Sequence, residues 1–361
     1  MWRADLFEFL LAVAMAALVG APQGGVQIAR LTESLWAAME WRCVLLLGRS
    51  SAAGILLWML VCGALLGGWL LGRKILMLWS PVLGWLWDTL LLSQTLTGRE
   101  LDTHARGVVF ALLRGDLPEA RQRATQITDA DTLRLLEADI CRASIESVAQ
   151  GAAEGFIAPL FWAALGGAPA ALLCRATHTL NARMNGRDAH HTPMAVVLSQ
   201  LANILSYAPA RLCAVASLLP RGFRYALAVL QESARHPRTN AGWIGASAAW
   251  ALGVRLGGVE QRGGVPSRVP VFNANAPQPG PQDLLRAVRW FWGIAAFCVL
   301  LLACGLWARD RFKPKSIPLP EVPPEVPKPA FITGFEELPG PPPEKLKGQV
   351  IFEERAKKTE P

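Results

Sequence analysis

The chain has 361 residues, 52% of them hydrophobic, and a mean hydropathy of +0.29. That is too apolar for a soluble protein and makes a lipid bilayer the expected solvent. The formal charge of +8 does not point to nucleic acid, because the basic residues flank apolar runs instead of gathering on one soluble face.

In chain order, Leu6 to Gly20 reads as a short membrane segment. Asp5 and Glu8 spoil the positive leading region of a signal peptide, so it is taken as a retained anchor. A polar connector follows to Arg49, holding Arg30, Glu33, Glu40 and Arg42. Ser51 to Gly72 then runs 22 residues without a charge, enough to cross about 30 Å of hydrocarbon. Arg73 and Lys74 suggest a turn and Ile75 to Leu92 a return, which together make a hairpin. Asp88 in the returning arm is costly against lipid and is expected to face protein, water or an interface.

From Thr97 to Gln150 apolar residues recur at helical spacing (Leu101, Ala105, Val108, Leu112, then Leu133, Leu136, Ile140, Val148), which predicts amphipathic helices. Gly115 closes one helix there, Asp116 caps the next, Pro118 sits in its first turn and Glu119 completes a capping box. Phe156 to Cys174 is apolar but interrupted by Pro159, Gly166, Gly167 and Pro169, as in a kinked or re-entrant segment. Pro193 to Leu219 and Ala241 to Val254 are again apolar, separated by a basic stretch. Gly257 to Gln282 reads as a loop, and Trp290 to Trp307 as a span of 18 uncharged residues flanked by arginines.

Lys74 is the only lysine before residue 313, and the segment 313–361 carries 12 of the 26 prolines. It reads as a disordered, proline-rich tail, either a spacer or a docking site for a protein partner. The organisation expected is therefore 1–96 (membrane segments and hairpin), 97–258 (core), 259–312 (loop and last span) and 313–361 (tail). The seven cysteines form no CxxC pair and no zinc spacing, and read as small buried hydrophobes.

No GxxxxGK loop, GxSxG elbow, HExxH helix or Cys/His dyad occurs. Two constellations carry candidate chemistry. Arg142, Glu146, Gln150 and Glu154 recur every fourth residue and share one helix face. Such carboxylates can hold Mg²⁺ or take a proton from an amine, and can equally form a solvated face with an ion pair. Glu232, Arg235, His236, Arg238 and Asn240 crowd before a glycine turn, where Arg and His suit phosphate and where a plain basic loop is the alternative. His104, His178, His190 and His191 show no ligand spacing.

Four stretches are similar to the CobD/CbiB family of cobalamin-biosynthesis membrane proteins, the adenosylcobinamide-phosphate synthases. They are HARGVVFALLRGDLPEAR (104–121), DTLRLLEADICRASIES (131–147), GFIAPLFWAALGG (155–167) and HPRTNAGWIGASAAWALGVRLGG (236–258), with APARL (208–212) matching the family's IPARL. The chain departs from the family where GDP would stand (Gly20, Ala21, Pro22), and the family's following HPV is missing. It departs again at Gln150 and Gly151, Glu154 and Gly155, at Asn181 of HTLN for NTLD, and at Ala202 and Asn203 before APARL.

The resemblance implies an ATP- and Mg²⁺-dependent amide bond between adenosylcobyric acid and aminopropanol phosphate, made at the cytosolic face of a bacterial inner membrane. It nominates Glu146 and Glu154 as catalytic carboxylates. His104, Arg142, Arg211, Glu232, His236 and Asn240 become substrate or phosphate ligands, and no residue is nominated as a metal ligand. The alternative is a non-catalytic relative serving as a binding or signalling module, of the AmpE type that shares the APLFW segment. The expected fold is all-α: a polytopic membrane protein of about five to eight apolar segments, some broken or re-entrant, with an amphipathic helical cytosolic part.

Overall fold

A computed structural model describes residues 5–20, 27–128, 130–187, 192–221, 224–262 and 265–312. The proline-rich tail, His190, His191, and Ala21 and Pro22 of the GDP-like stretch lie outside the described residues. Among the described residues twelve α-helices are joined in the order α1 (Leu6–Leu18), α2 (Ile28–Leu47), α3 (Ser51–Trp79), α4 (Pro81–Thr95), α5 (Gly98–Leu113), α6 (Leu117–Ala124), α7 (Glu137–Gly151), α8 (Ala158–Arg187), α9 (Pro193–Leu218), α10 (Ala226–Ser233), α11 (Thr239–Leu252) and α12 (Pro281–Arg311). A π-helical turn, Ala152–Ile157, fuses α7 to α8.

The protein is an all-helical, polytopic membrane protein: four helical stretches, Ser51–Trp79, Glu137–Met184, Pro193–Leu218 and Pro281–Arg311, are long and apolar enough to cross a bilayer. α1 is a shorter apolar helix.

One antiparallel hairpin breaks the helical pattern, β1 (Leu256–Arg262) with β2 (Val265–Phe272), where the sequence reads as loop. Its register shift between Leu256 and Gly258 depends on Gly257, whose φ of +80° belongs to the left-handed region and whose missing Cβ would clash with the Pro270 carbonyl oxygen.

The charged pair Arg73 and Lys74 does not form the expected turn, because α3 runs through it to Trp79. The reversal falls at Ser80, where the hydroxyl accepts the Val82 N–H and Pro81 supplies the first helical residue. α4 has only 15 residues, about 22 Å at 1.5 Å each, and is too short for the full return crossing expected from Ile75 to Leu92. Asp88 faces protein, accepting the Trp69 indole N–H at 2.8 Å and the Arg73 Nε–H at 2.6 Å. At the α5 to α6 junction Asp116 accepts the Glu119 N–H at 2.9 Å. The Glu119 carboxylate pairs with Arg114 and Arg123, so ion pairs take the place of the expected reciprocal half of the capping box.

Two apolar cores form. The larger gathers Phe9, Ile140, Phe156 and Phe291, drawing on α1, α5, α7, the first half of α8, the end of α9, α11 and α12. The smaller surrounds Trp36, Leu57, Leu180 and Leu198, from α2, α3, the second half of α8 and the start of α9. α8 and α9 therefore run through both.

α8 is broken at Gly167 (φ 70°, ψ −163°) just before Pro169, which bears out the broken segment read from the sequence. In α9, Pro209 has no N–H for the Leu205 carbonyl, which instead accepts the Trp162 indole N–H at 2.9 Å. Six cysteines are buried and Cys304 is exposed.

Replacing Asp88 with leucine removes the carboxylate that accepts from Arg73 at 2.6 Å in a membrane helix and is expected to cost about 3–5 kcal/mol. The double change Arg73→Leu, Asp88→Leu should recover most of the loss; thermal unfolding of the single and double variants in detergent checks it.

Candidate functional site

The polar stripe on α7 divides between two structures. Arg142 and Glu146 face the hairpin: Glu146 Oε1 accepts the Gly257 N–H at 2.6 Å, and Arg142 donates to the Val259 carbonyl at 3.1 Å. Arg142 also lies 3.6 Å from Glu146 Oε2 and 3.4 Å from Asp139. These two nominated residues hold β1 against α7.

Glu154 stands on the π turn, whose extra residue re-aims the side chains beyond it. One carboxylate oxygen accepts from Gln150 Nε2, and the other lies 3.6 Å from His178 Nδ1. The His178 Nε2 is in turn 3.1 Å from Ser206 Oγ on α9. This is the order of a serine, histidine and carboxylate relay, yet Ser206 is 2% exposed and cannot meet a substrate. Its role is to fix the His178 ring. The tautomer sets the direction of this hydrogen bond, and a ring that accepts the Ser206 hydroxyl at Nε2 carries its proton on Nδ1, facing Glu154. Among the described residues Nδ1 has no hydrogen-bond partner, and Glu154 retains partial solvent access.

The remaining nominated residues divide again. Asn240 ties α11 to α9, donating to the Asn203 carbonyl at 2.7 Å and accepting from Arg211 at 3.2 Å. The Arg211 guanidinium lies 3.5 Å from the Tyr207 ring centroid and 5.4 Å from that of Trp243, a cation held on two aromatic faces. Glu232 accepts the Trp250 indole N–H at 2.9 Å and the Asn273 N–H at 3.1 Å, joining α10, α11 and the end of the hairpin. His236 accepts the Arg238 N–H and stacks on Phe272. His104, on exposed α5, contacts Gln126 at 2.8 Å. The structure thus joins Arg142 to Glu146 and Arg211 to Asn240, turns Glu232 and His236 to the hairpin's far end, and leaves His104 in a separate pairing.

The sequence reading missed the polar groups that surround Glu154. Thr97, at the start of α5, donates both its N–H and its hydroxyl to the Gly155 carbonyl, each at 3.1 Å. Arg175 lies half-buried on α8, one guanidinium nitrogen 3.8 Å from where a Cβ on Gly155 would stand. Arg183 follows on the same helix, 3.9 Å from Glu33 of α2. Glu100 accepts from Gln27 at 3.2 Å. A lone Arg inside a membrane helix is a functional candidate on its own, and Arg175 was legible in that sense. Among the described residues no group of three His, Cys, Asp or Glu side chains converges, while Mg²⁺ is commonly held by one or two carboxylates together with substrate phosphates.

Fold and site together define a helical membrane protein with a polar seam at the joint of α5, α7, α8 and α9. The chain belongs to the CobD/Cbib protein family, which it matches over residues 9–291. It is similar to a cobalamin biosynthesis protein CobD of Stutzerimonas stutzeri, 36% identical over 63% of this chain and 75% of that one. A CobD of Yersinia enterocolitica is 30% identical over 76% of this chain and 85% of the relative. The cobalamin biosynthesis protein CbiB of Salmonella typhimurium is 31% identical over 70% and 82%. No solved structure matches the chain.

Truncating Glu146 to alanine leaves the Gly257 amide without its acceptor and is expected to cost about 1–3 kcal/mol. Hydrogen exchange should quicken in β1 and β2 while the membrane helices keep their protection.

Proposed function

We propose that the chain serves in cobalamin biosynthesis, as the names of its relatives suggest for them. Its reaction is the ATP-dependent joining of adenosylcobyric acid to an amino-alcohol phosphate through an amide bond. ATP activates the carboxyl as an acyl phosphate or acyl adenylate, the amine nitrogen attacks that carbon, and phosphate or AMP leaves as the amide forms. The ammonium must first lose a proton, and Glu154 is the carboxylate suited to take it. The observation that carries this reading is the Glu154 environment. Its side chain keeps 25% of its exposure, is oriented by Gln150, and is backed by a buried His178 whose free ring nitrogen faces it.

The other nominated residues support this centre. Arg142 and Glu146 keep the hairpin on α7, and Arg211 with Asn240 fixes α11 to α9 beside Ser206. No step is assigned to Mg²⁺, and among the described residues the carboxylates stand dispersed, no three converging. The corrinoid and the amine phosphate are the expected partners, with the lipid bilayer as the wall of the site and the cytosol of a bacterial cell as the side from which ATP enters.

A second reading rests on that dispersal of carboxylates and on the amides Asn181 and Asn203: a binding module on the same fold without catalysis. Purified protein supplied with adenosylcobyric acid, ATP and aminopropanol phosphate should form the phosphorylated cobinamide. Absence of product, in conditions where an ordinary family member works, favours the binding module. Glu154→Gln should lower kcat by roughly 10²–10⁴ with a smaller change in KM.

A further inference from the structure

Arg175 is the unspent charge of the seam. It projects from α8 three residues before His178, one helical turn along, and it approaches the backbone of the residue that follows Glu154. Among the described residues its guanidinium has no hydrogen-bond or ion-pair partner within 4 Å; Glu100 and Glu33 are the carboxylates that act on it from further away. Both have nearer company, Glu100 with Gln27 and Glu33 with Arg183. Two other nitrogens of α8, His178 Nδ1 and Arg183 Nε, are buried without hydrogen bonds.

A guanidinium half out of water, in a helix long and apolar enough to cross a membrane, is costly without an anion. On α3 the comparable charge, Arg73, is closed by a carboxylate, Asp88. Here the carboxylate of Glu154 points instead to Gln150 and His178. The result is a cation without a near carboxylate that reaches Gly155, the residue after the partly exposed Glu154, where any larger residue would meet the Thr97 hydroxyl at 2.5 Å. A ligand with a phosphate and an ammonium a few bonds apart complements that pair of charges. The flat fork of an arginine matches two phosphate oxygens at once.

We propose that Arg175 is the phosphate-binding group of the site, gripping either the phosphate monoester of the amine substrate or the phosphates of ATP, with Glu154 facing the amine. The assignment rests on the amide-forming reading for the identity of its ligands, and its test is a binding test.

Full-length protein in detergent is titrated calorimetrically with O-phosphoethanolamine, ethanolamine and ATP. Arg175→Gln should weaken one phosphorylated probe at least tenfold, Arg175→Lys should weaken it less, and ethanolamine should bind both variants as it binds the wild type. The probe that loses affinity identifies the source of the phosphate. Equal binding of both phosphorylated probes to wild type and Arg175→Gln, or no binding of either to the wild type, overturns the proposal. Should Arg175→Gln not fold, phenylglyoxal labelling of the wild type decides: modification of the Arg175 peptide must slow when the phosphorylated probe is present, and an unchanged rate overturns it equally. Wild-type protein that binds the probe in this way yet makes no amide sinks the amide-forming reading alone.

Discussion

The fold turns on one carbonyl oxygen. In the π turn between α7 and α8 the regular ladder is interrupted, and the Gly155 carbonyl accepts both the backbone N–H and the side-chain hydroxyl of Thr97. That double bond to a single acceptor docks the start of α5 onto the middle of the longest helical rod in the molecule. It works only with glycine, since a Cβ would stand 2.5 Å from the Thr97 oxygen. Fixing this contact fixes the rest of the seam, because Glu154 precedes it and Arg175 reaches it across α8. The membrane segments before residue 97 and the amphipathic helices after it meet at the same point. A π turn is less stable than regular helix, so its persistence among well-packed helices signals a use for the side chains it displaces.

Around that point polar groups have two fates. Most are consumed in holding elements together. Asp88 closes on Trp69 and Arg73, Glu232 on Trp250 and Asn273, Glu146 on Gly257, and Asn240 on Asn203 and Arg211. In an apolar surrounding each such group must be satisfied, and each therefore doubles as a tie between helices that lipid alone would not drive together. A few are left with capacity to spare: one oxygen of Glu154, one nitrogen of His178, and Arg175. Chemistry needs residues of the second kind, and the proposed site draws on those at the joint of α5, α7, α8 and α9.

The sequence made the membrane character, the spans at 51–72 and 290–307, and the broken segment near Gly167 legible, because length, hydropathy and Gly/Pro punctuation act locally. It misled where a local signal was overruled by packing. Arg73 and Lys74 resemble a turn, but Asp88 neutralises Arg73 and the helix continues. The hairpin at 256–272 was hidden by Pro266 and Pro270, and its alternation is shortened by a bulge between Leu256 and Gly258. The stripe at 142, 146, 150 and 154 was visible as a face, while its division by a π turn into two pairs was not, since nothing in the periodicity announces an extra residue in a turn. Arg175 was legible only as a charge in an apolar segment, since no spacing pattern ties it to Glu154.

The departures of this chain from its family acquire a physical sense from the same geometry. Asn203 meets Asn240 through its backbone carbonyl, so the contact to α11 does not depend on the identity of that side chain. Asn181 lies on α8 beyond His178, on the helix that already brings Arg175 and Arg183 into the seam. An amide where a relative has a carboxylate carries one negative charge fewer, which in its neighbourhood favours a bound phosphate over a divalent cation. Arg175, with no carboxylate closer than the distant Glu100 and Glu33, is the group for which that difference matters in the proposed phosphate site.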